Sequence, residues 1–340
     1  MRPRLIAAQP ARIQAKPMRV AIISLSEKGR QDGPALRNLH AVSTPRTHEL
    51  VDNPDDAELV IFTDLAPDAH YRSLRAHPLP RRRPADCFTV YHWHEPYGLL
   101  PGLYTETPRL RIGSRRHRAG LYWPERHTNP LVSTHLPLPE KDRPWLFSFL
   151  GRDSHPVRAR VFSLPPGHGG KRALIEDTGR YDHWKTTGEA RDAALQNYVD
   201  SARDSYFGLC PRGLRKPSIR LFEMMQLGVC PVVLADGYVF PTGPRWEDFC
   251  LIIKERDAGR LWEILTGREA EAIERGRLAR EEWERWFAVE RQFNYIVGQL
   301  AAIRARPRAW PEGWLRGARM QARIWTTDTL ARLDRLRARL

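Results

Sequence analysis

The chain has 340 residues, with 55 Lys and Arg against 40 Asp and Glu and a formal net charge of +15. That length suits two domains of roughly 150 residues, each able to bury its own core, and the charge predicts attraction to anions: nucleic acid, acidic lipid surfaces, phosphorylated metabolites or acidic glycans. No stretch approaches the roughly 18 continuous apolar residues of a membrane span, and residues 1–17 lack the apolar run of a secretory signal, so a cytoplasmic protein with a disordered basic N-terminus is expected.

The first ordered element is "MRVAIISLS" (Met18 to Ser26), a short β-branched run after Pro17. "DDAELVIFTDL" (Asp55 to Leu65) and "DCFTVYHWHEP" (Asp86 to Pro96) repeat its form. Three apolar strands separated by polar, partly helical stretches predict a parallel sheet, with "RRRP" at Arg81 to Pro84 as a solvated loop. From Gly98 to Lys141 the chain is rich in Pro, Gly, Arg and His, so loops and a domain connection are placed there.

"PWLFSFLGR" (Pro144 to Arg152) opens a second series: a strand, a turn at Gly151 and a helix from His155 to Phe162. After a polar, glycine-containing region, "SYFGLCP" and "VCPVVLA" are two further strands flanking a short helix. Alternation of strand and helix in both halves predicts an α/β protein with two Rossmann-like domains, over 18–140 and 141–300.

The segment from Arg256 to Leu300 is helical by periodicity, with Leu261, Ile264, Leu265, Ile273, Trp283, Phe287, Phe293 and Ile296 as core positions. Residues 301–340 form an Arg-rich helical segment, either packed on the body or touching an anionic membrane face. Cys87, Cys210, Cys230 and Cys250 have neither CxxC nor Cys/His zinc spacing and read as buried thiols in a reducing compartment.

"CPRGLRKPSIRLFEMMQLG" carries the chemistry. A strand ends at Pro211, a loop with Arg212, Gly213, Arg215 and Lys216 follows, and a helix starts near Pro217 or Ser218. Free N–H groups and the positive helix end suit a phosphate, although Pro, Ser and Gly228 also serve as ordinary helix signals. Arg220 and Glu223 share a face, either as a surface ion pair or as a diphosphate contact beside a carboxylate that accepts from a ribose diol.

"SYFGLCPRG…PSIRLFEMMQLGVCPVVLADGYVFP" resembles the exostosin family of glycosyltransferases (family 47). "LFSFLGRDSHPVRARVF", "PRWEDFCLII" and "EEWERWF" extend the likeness from Pro144 to about Phe293, with a thinner agreement at "HWHEP…LLPGLY". Eukaryotic members usually carry an N-terminal membrane anchor, and a relative without one is expected here.

The resemblance implies a GT-B architecture of two Rossmann-like domains facing a cleft, with a nucleotide-sugar, favoured as a UDP-sugar, held by the second and the acceptor by the first. It makes Arg152 and Arg212 candidates for the diphosphate, with Gly213, Ser218 and Arg220 nearby, Glu223 for the ribose and Tyr238 for the pocket wall. Arg215 and Lys216 rank lower. Inverting transfer to a hydroxyl of a glycan, lipid-linked or small glycoside acceptor needs a base, for which Glu95 and His94, beyond the apolar run ending at Val90, are the candidates, ahead of Asp64.

No compact Asp-x-Asp demands a metal, so cofactor-independent chemistry is expected, with basic groups stabilising the leaving diphosphate. A location at the inner membrane face follows if the C-terminal segment touches lipid. The alternative is a non-catalytic binder of nucleic acid or acidic polymer, which explains the charge but not the "CPRG…RLFE" arrangement. No GxGxxG follows either first strand, which disfavours a nicotinamide enzyme.

Overall fold

The computed structural model describes residues 16–25, 32–65, 72–91, 100–106, 116–121, 129–134, 142–179 and 186–305. The basic N-terminus, apart from its last two residues, and most of the C-terminal Arg-rich segment lie outside these.

The first unit is a six-stranded parallel sheet in the order β2-β1-β3-β4-β5-β6. Its strands are β1 (Arg19–Ser24), β2 (Glu49–Leu50), β3 (Leu59–Thr63), β4 (Cys87–Tyr91), β5 (Gly102–Tyr104) and β6 (His117–Ala119). Every residue of β3 and β4 is buried. Continuous apolar runs of this kind follow when both faces of a parallel sheet are covered. Helices α1 (Asp32–Val42), α2 (Arg72–Ala76) and α3 (Leu79–Arg82) join the early strands.

The second unit is a sheet in the order β12-β11-β10-β7-β9-β8. It comprises β7 (Trp145–Gly151), β8 (Gly167–His168), β9 (Lys171–Asp177), β10 (Ser205–Pro211), β11 (Cys230–Leu234) and β12 (Leu251–Ile253). All neighbours are parallel except β8 and β9, a hairpin. Around it run α4 (Pro130–Thr134), α5 (Pro156–Phe162), α6 (Glu189–Arg203), α7 (Ile219–Leu227), α8 (Trp246–Phe249), α9 (Leu261–Thr266) and α10 (Ala272–Trp286). Both Rossmann-like units expected of a GT-B architecture are therefore present.

The last described helix, α11 (Val289–Arg304), packs on α1 and β5 of the first unit. Phe293, Ile296, Val297 and Leu300 enter one apolar cluster with Leu36 and Leu39 of α1. Polar ties secure it: Arg291 donates to Thr44 O, Asn294 to Pro45 O, and Arg304 bonds Asp86 at 2.9 Å. A unit boundary drawn at residue 300 thus falls inside a helix that belongs by packing to the first sheet.

Three parts of the sequence reading change. Residues 98–141, read as loops, contain β5, β6 and α4, whose three- and five-residue lengths are too short for any periodic signal. The polar region before β10 contains β8, β9 and α6; β9 lies next to the two-residue edge strand β8, and only its Ala173 is fully buried. Ile264, Ile273 and Trp283 are half-buried, whereas Leu261, Leu265, Phe287, Phe293 and Ile296 are core.

All four cysteines are free and buried. Burial pushes the Cys87 thiol up to about 11 and Cys210 to about 12, so both stay protonated and inert. Among the described residues no helix is long and apolar enough to cross a membrane.

Candidate functional site

In the second sheet the chain runs from β7 outward to β9, then returns to the other side of β7 with β10. The loops leaving β7 and β10 therefore diverge, and ligands of open α/β sheets bind at such a switch point, beyond the carboxyl ends of the strands. Arg152 follows β7, and Arg212 and Gly213 follow β10, so three of the predicted residues sit at this crevice.

Arg158 of α5, which the sequence reading passed over, ties the two loops together. Its Nε donates to Arg212 O at 3.0 Å, Nη1 to Arg152 O at 2.9 Å and Nη2 to Pro211 O at 3.2 Å. A Cβ on Gly213 would lie 3.2 Å from both Arg158 Nη2 and Ser154 Oγ, so glycine lets the loop lie flat on this guanidinium. Burial first, and the charge of Arg220 second, push the Arg158 pKa down to about 10.

The loop's own cations are largely spoken for. Arg212 bonds Gly213 O and Leu214 O at 3.3 Å and lies 3.8 Å from Glu255. Arg215 reaches across to the first unit, 3.7 Å from Glu106, and Lys216 donates to Gly237 O at 3.4 Å. Arg152 is exposed and forms no ion pair among the described residues.

Helix α7 begins at Ser218 in extended conformation, with no side-chain cap bond, and ends at Gly228 in the left-handed region at φ 70. Gly228 and Val229 donate back to Met225 O and Met224 O, the helix stop that the sequence predicts. Leu221, Phe222, Met224 and Met225 are buried, which aims Arg220 and Glu223 at a cleft of about 690 Å³. Its other walls are Leu150 and Gly151 at the end of β7, Glu176 to Thr178 at the end of β9, Asn197 and Tyr198 of α6, and Asn129.

The surface ion pair entertained for Arg220 and Glu223 is not what forms. Glu223 is buried and accepts from Tyr198 Oη at 2.5 Å and from the Asn129 N–H at 3.3 Å. Arg220 donates to Leu150 O and stacks over the Phe149 and Tyr198 rings, 4.8 and 5.5 Å from their centroids. It makes no ion pair among the described residues, and its buried Nε has no partner. A half-buried guanidinium with a spare donor and no paired carboxylate has the chemistry to accept an anion.

Tyr238 does not line this cleft. Its ring lies 4.6 Å from that of Phe240 against the apolar core, away from the wall expected for it. His94 and Glu95, the candidate bases, lie outside the described residues.

Asp64, their competitor, is buried at the end of β3 and accepts from Ser24 Oγ (2.6 Å), Thr63 Oγ1 (3.2 Å) and the Asp32 and Gly33 N–H groups (3.2 and 3.3 Å). Its carboxylate fills the N-terminus of α1, where a phosphate would otherwise dock. Asp64 is therefore a cap rather than a base, and the first unit has its helix-end anion position already occupied. Among the described residues no group of three or more His, Cys, Asp and Glu could hold a metal.

Comparison with known proteins finds similarity to glycosyltransferases. Residues 115–267 match the Exostosin GT47 domain. The chain is 40% identical over 93 residues to a probable glucuronoxylan glucuronosyltransferase of Arabidopsis thaliana, covering 25% of this chain and 21% of that one. It is 32% identical over 145 residues to a probable glucuronosyltransferase of Oryza sativa subsp. japonica, covering 41% and 32%. The chain thus spans between about a fifth and a third of these curated relatives. Among solved structures, an alpha-glucosyltransferase in complex with UDP and DNA aligns at TM-score 0.42 and 10% identity, covering 85% of this chain and all of that one.

Proposed function

We propose, from the premise that residues 115–267 are an exostosin GT47 domain, that the chain is a glycosyltransferase which binds a nucleoside-diphosphate sugar in the second-unit cleft. The observation that carries this reading is Arg220: a half-buried guanidinium with an unpartnered Nε, on the same helix face as the buried Glu223. Arg220 and the crevice loops supply charge to the diphosphate, and Glu223 supplies two acceptor oxygens to the ribose.

As the glycosidic bond to the diphosphate breaks, negative charge grows on the leaving oxygen. Arg220 and the N–H groups at the start of α7 are fixed before that charge appears, so they stabilise it without reorganising, and the exposed Arg152 at the end of β7 adds charge beside them. Arg212 stands within the same loop but is turned toward Glu255. A metal is not required on this scheme.

A UDP-sugar is the favoured donor, and the acceptor is a hydroxyl of a glycan, lipid-linked or small glycoside. The transfer is inverting, with Glu95 or His94, which follow β4 in sequence, removing the acceptor proton. This is supported by the sequence likeness and by the occupation of Asp64 as a cap. A cytoplasmic site of action against an anionic membrane face is supported by the Arg-rich sequence of 301–340 alone.

The test is a thermal-shift panel of UDP, GDP, ADP and CDP, followed by transfer assays with sugars of the nucleotide that stabilises. A ligand at one hundred times its Kd adds about 2.7 kcal/mol to the folded state. If no nucleotide raises the midpoint at millimolar concentration, the reading fails.

A further inference from the structure

We propose that Tyr198 is a positioning residue, which holds the Glu223 carboxylate for a sugar diol and so makes the cleft select ribonucleotides over 2′-deoxyribonucleotides. This rests on the nucleotide reading of the cleft given above.

Tyr198 and Glu223 come from different helices, α6 and α7, and meet at the wall of the cleft. Tyr198 Oη donates to Glu223 Oε2 at 2.5 Å, and the Asn129 N–H donates to Oε1 at 3.3 Å. Each carboxylate oxygen thus has its own donor, which fixes the plane of the group. A carboxylate has about four lone-pair sites, and donors placed on each oxygen set the directions in which the others can meet a hydroxyl.

The Tyr198 ring is itself held. Leu195, Val199 and Ala202 bury their face of α6, and the Arg220 guanidinium lies 5.5 Å from the ring centroid. Burial first, and the negative charge of Glu223 second, push the Tyr198 hydroxyl well above its ordinary pKa, so it remains a proton donor throughout the neutral range. One tyrosine therefore touches both the group assigned to the diphosphate and the group assigned to the ribose.

Because phenylalanine keeps the ring, Tyr198→Phe removes the donor and leaves the stacking with Arg220. Dissociation constants for UDP and 2′-deoxy-UDP, with GDP and 2′-deoxy-GDP as a second pair, are measured by titration calorimetry on the wild type, Tyr198→Phe, Glu223→Gln and the double variant. The wild type is expected to prefer the ribose form by about tenfold or more, the worth of a hydrogen bond to a charged group. Tyr198→Phe brings that ratio several-fold closer to one while leaving 2′-deoxy-UDP affinity within about twofold. In the Glu223→Gln background it changes nothing further, since residues acting as one unit are not additive.

A ratio that Tyr198→Phe leaves unchanged, or equal losses for ribose and deoxyribose forms, overturns the proposal while the nucleotide reading stands. No binding of any nucleotide by the wild type overturns both.

Discussion

Arg158 and Arg220 place two guanidinium groups over one phenyl ring, 5.5 and 4.8 Å from the Phe149 centroid, and neither forms an ion pair among the described residues. Like charges this close repel, and the charge of Arg220 adds to burial in lowering the Arg158 pKa. Arg158 is neutralised in part by three carbonyl oxygens, whereas Arg220 has one. The pair is a stored demand for an anion.

Replacing Arg220 by alanine is therefore expected to weaken nucleoside-diphosphate binding by about ten- to a hundredfold, the scale of a charge-assisted hydrogen bond. Stability without ligand should change little, because relief of the repulsion on Arg158 offsets the lost bond to Leu150 O and the lost ring contacts. Arg220→Lys should lie between, keeping the charge but not the planar fork. Titration calorimetry reads both, and an unchanged Kd in Arg220→Ala would place the anion elsewhere.

Arg158→Met should behave differently. It strips a donor from Arg152 O, Pro211 O and Arg212 O together, and a lost hydrogen bond costs about 1 kcal/mol each. Chemical denaturation should show a loss on the order of 2–3 kcal/mol, with weaker nucleotide binding as the two loops come apart. A stable variant with full affinity would show that the loops do not depend on this clamp.

His48 sets an acid limit. It is buried beneath Phe293, and neither ring nitrogen has a partner. Burial first, and the nearby His40 second, lower its pKa from 6.5 to about 4. Above pH 6.5 the ring is neutral whether the chain is folded or not. As pH falls from there to about 4 only the unfolded chain takes up the proton, so stability is lost across that window and the loss is complete below it, roughly 3 kcal/mol in all. Denaturation midpoints of wild type and His48→Leu between pH 7 and pH 4 should diverge, with the variant flatter; parallel curves would remove His48 from the account.

Gly228→Ala tests the helix stop. An alanine at φ 70 is left-handed and costs about 1–2 kcal/mol. The variant should lose that much stability by urea denaturation. Nucleotide affinity should be retained, since Gly228 lies at the far end of α7 from Arg220.

Much of this was legible along the chain. Strands β1, β3, β4, β7, β10 and β11 are buried apolar runs, and such runs announce themselves. Helix α7 is framed by Pro217, Ser218 and Gly228, whose signals are local. What the sequence hid was tertiary. Glu223 finds its partner in Tyr198, 25 residues away, rather than in Arg220 one turn back. Nothing in "PVRARVF" says that Arg158, among its neighbours, will turn inward to three carbonyls. For α6 a signal existed, since Leu195, Val199 and Ala202 recur at helical spacing, but charged residues between them diluted it.

The second unit is an excursion of the chain out of the first and back. It leaves between Leu121 and Asn129 and returns between Phe287 and Val289, where α11 rejoins the first sheet. Both crossings rest on α7: the Asn129 N–H on Glu223, and the Phe287 ring 5.3 Å from that of Phe222. Both passages of the chain between the units thus bear on the one helix that carries Arg220 and Glu223, so a substitution that loosens α7 would disturb the joint between the sheets as well as the cleft.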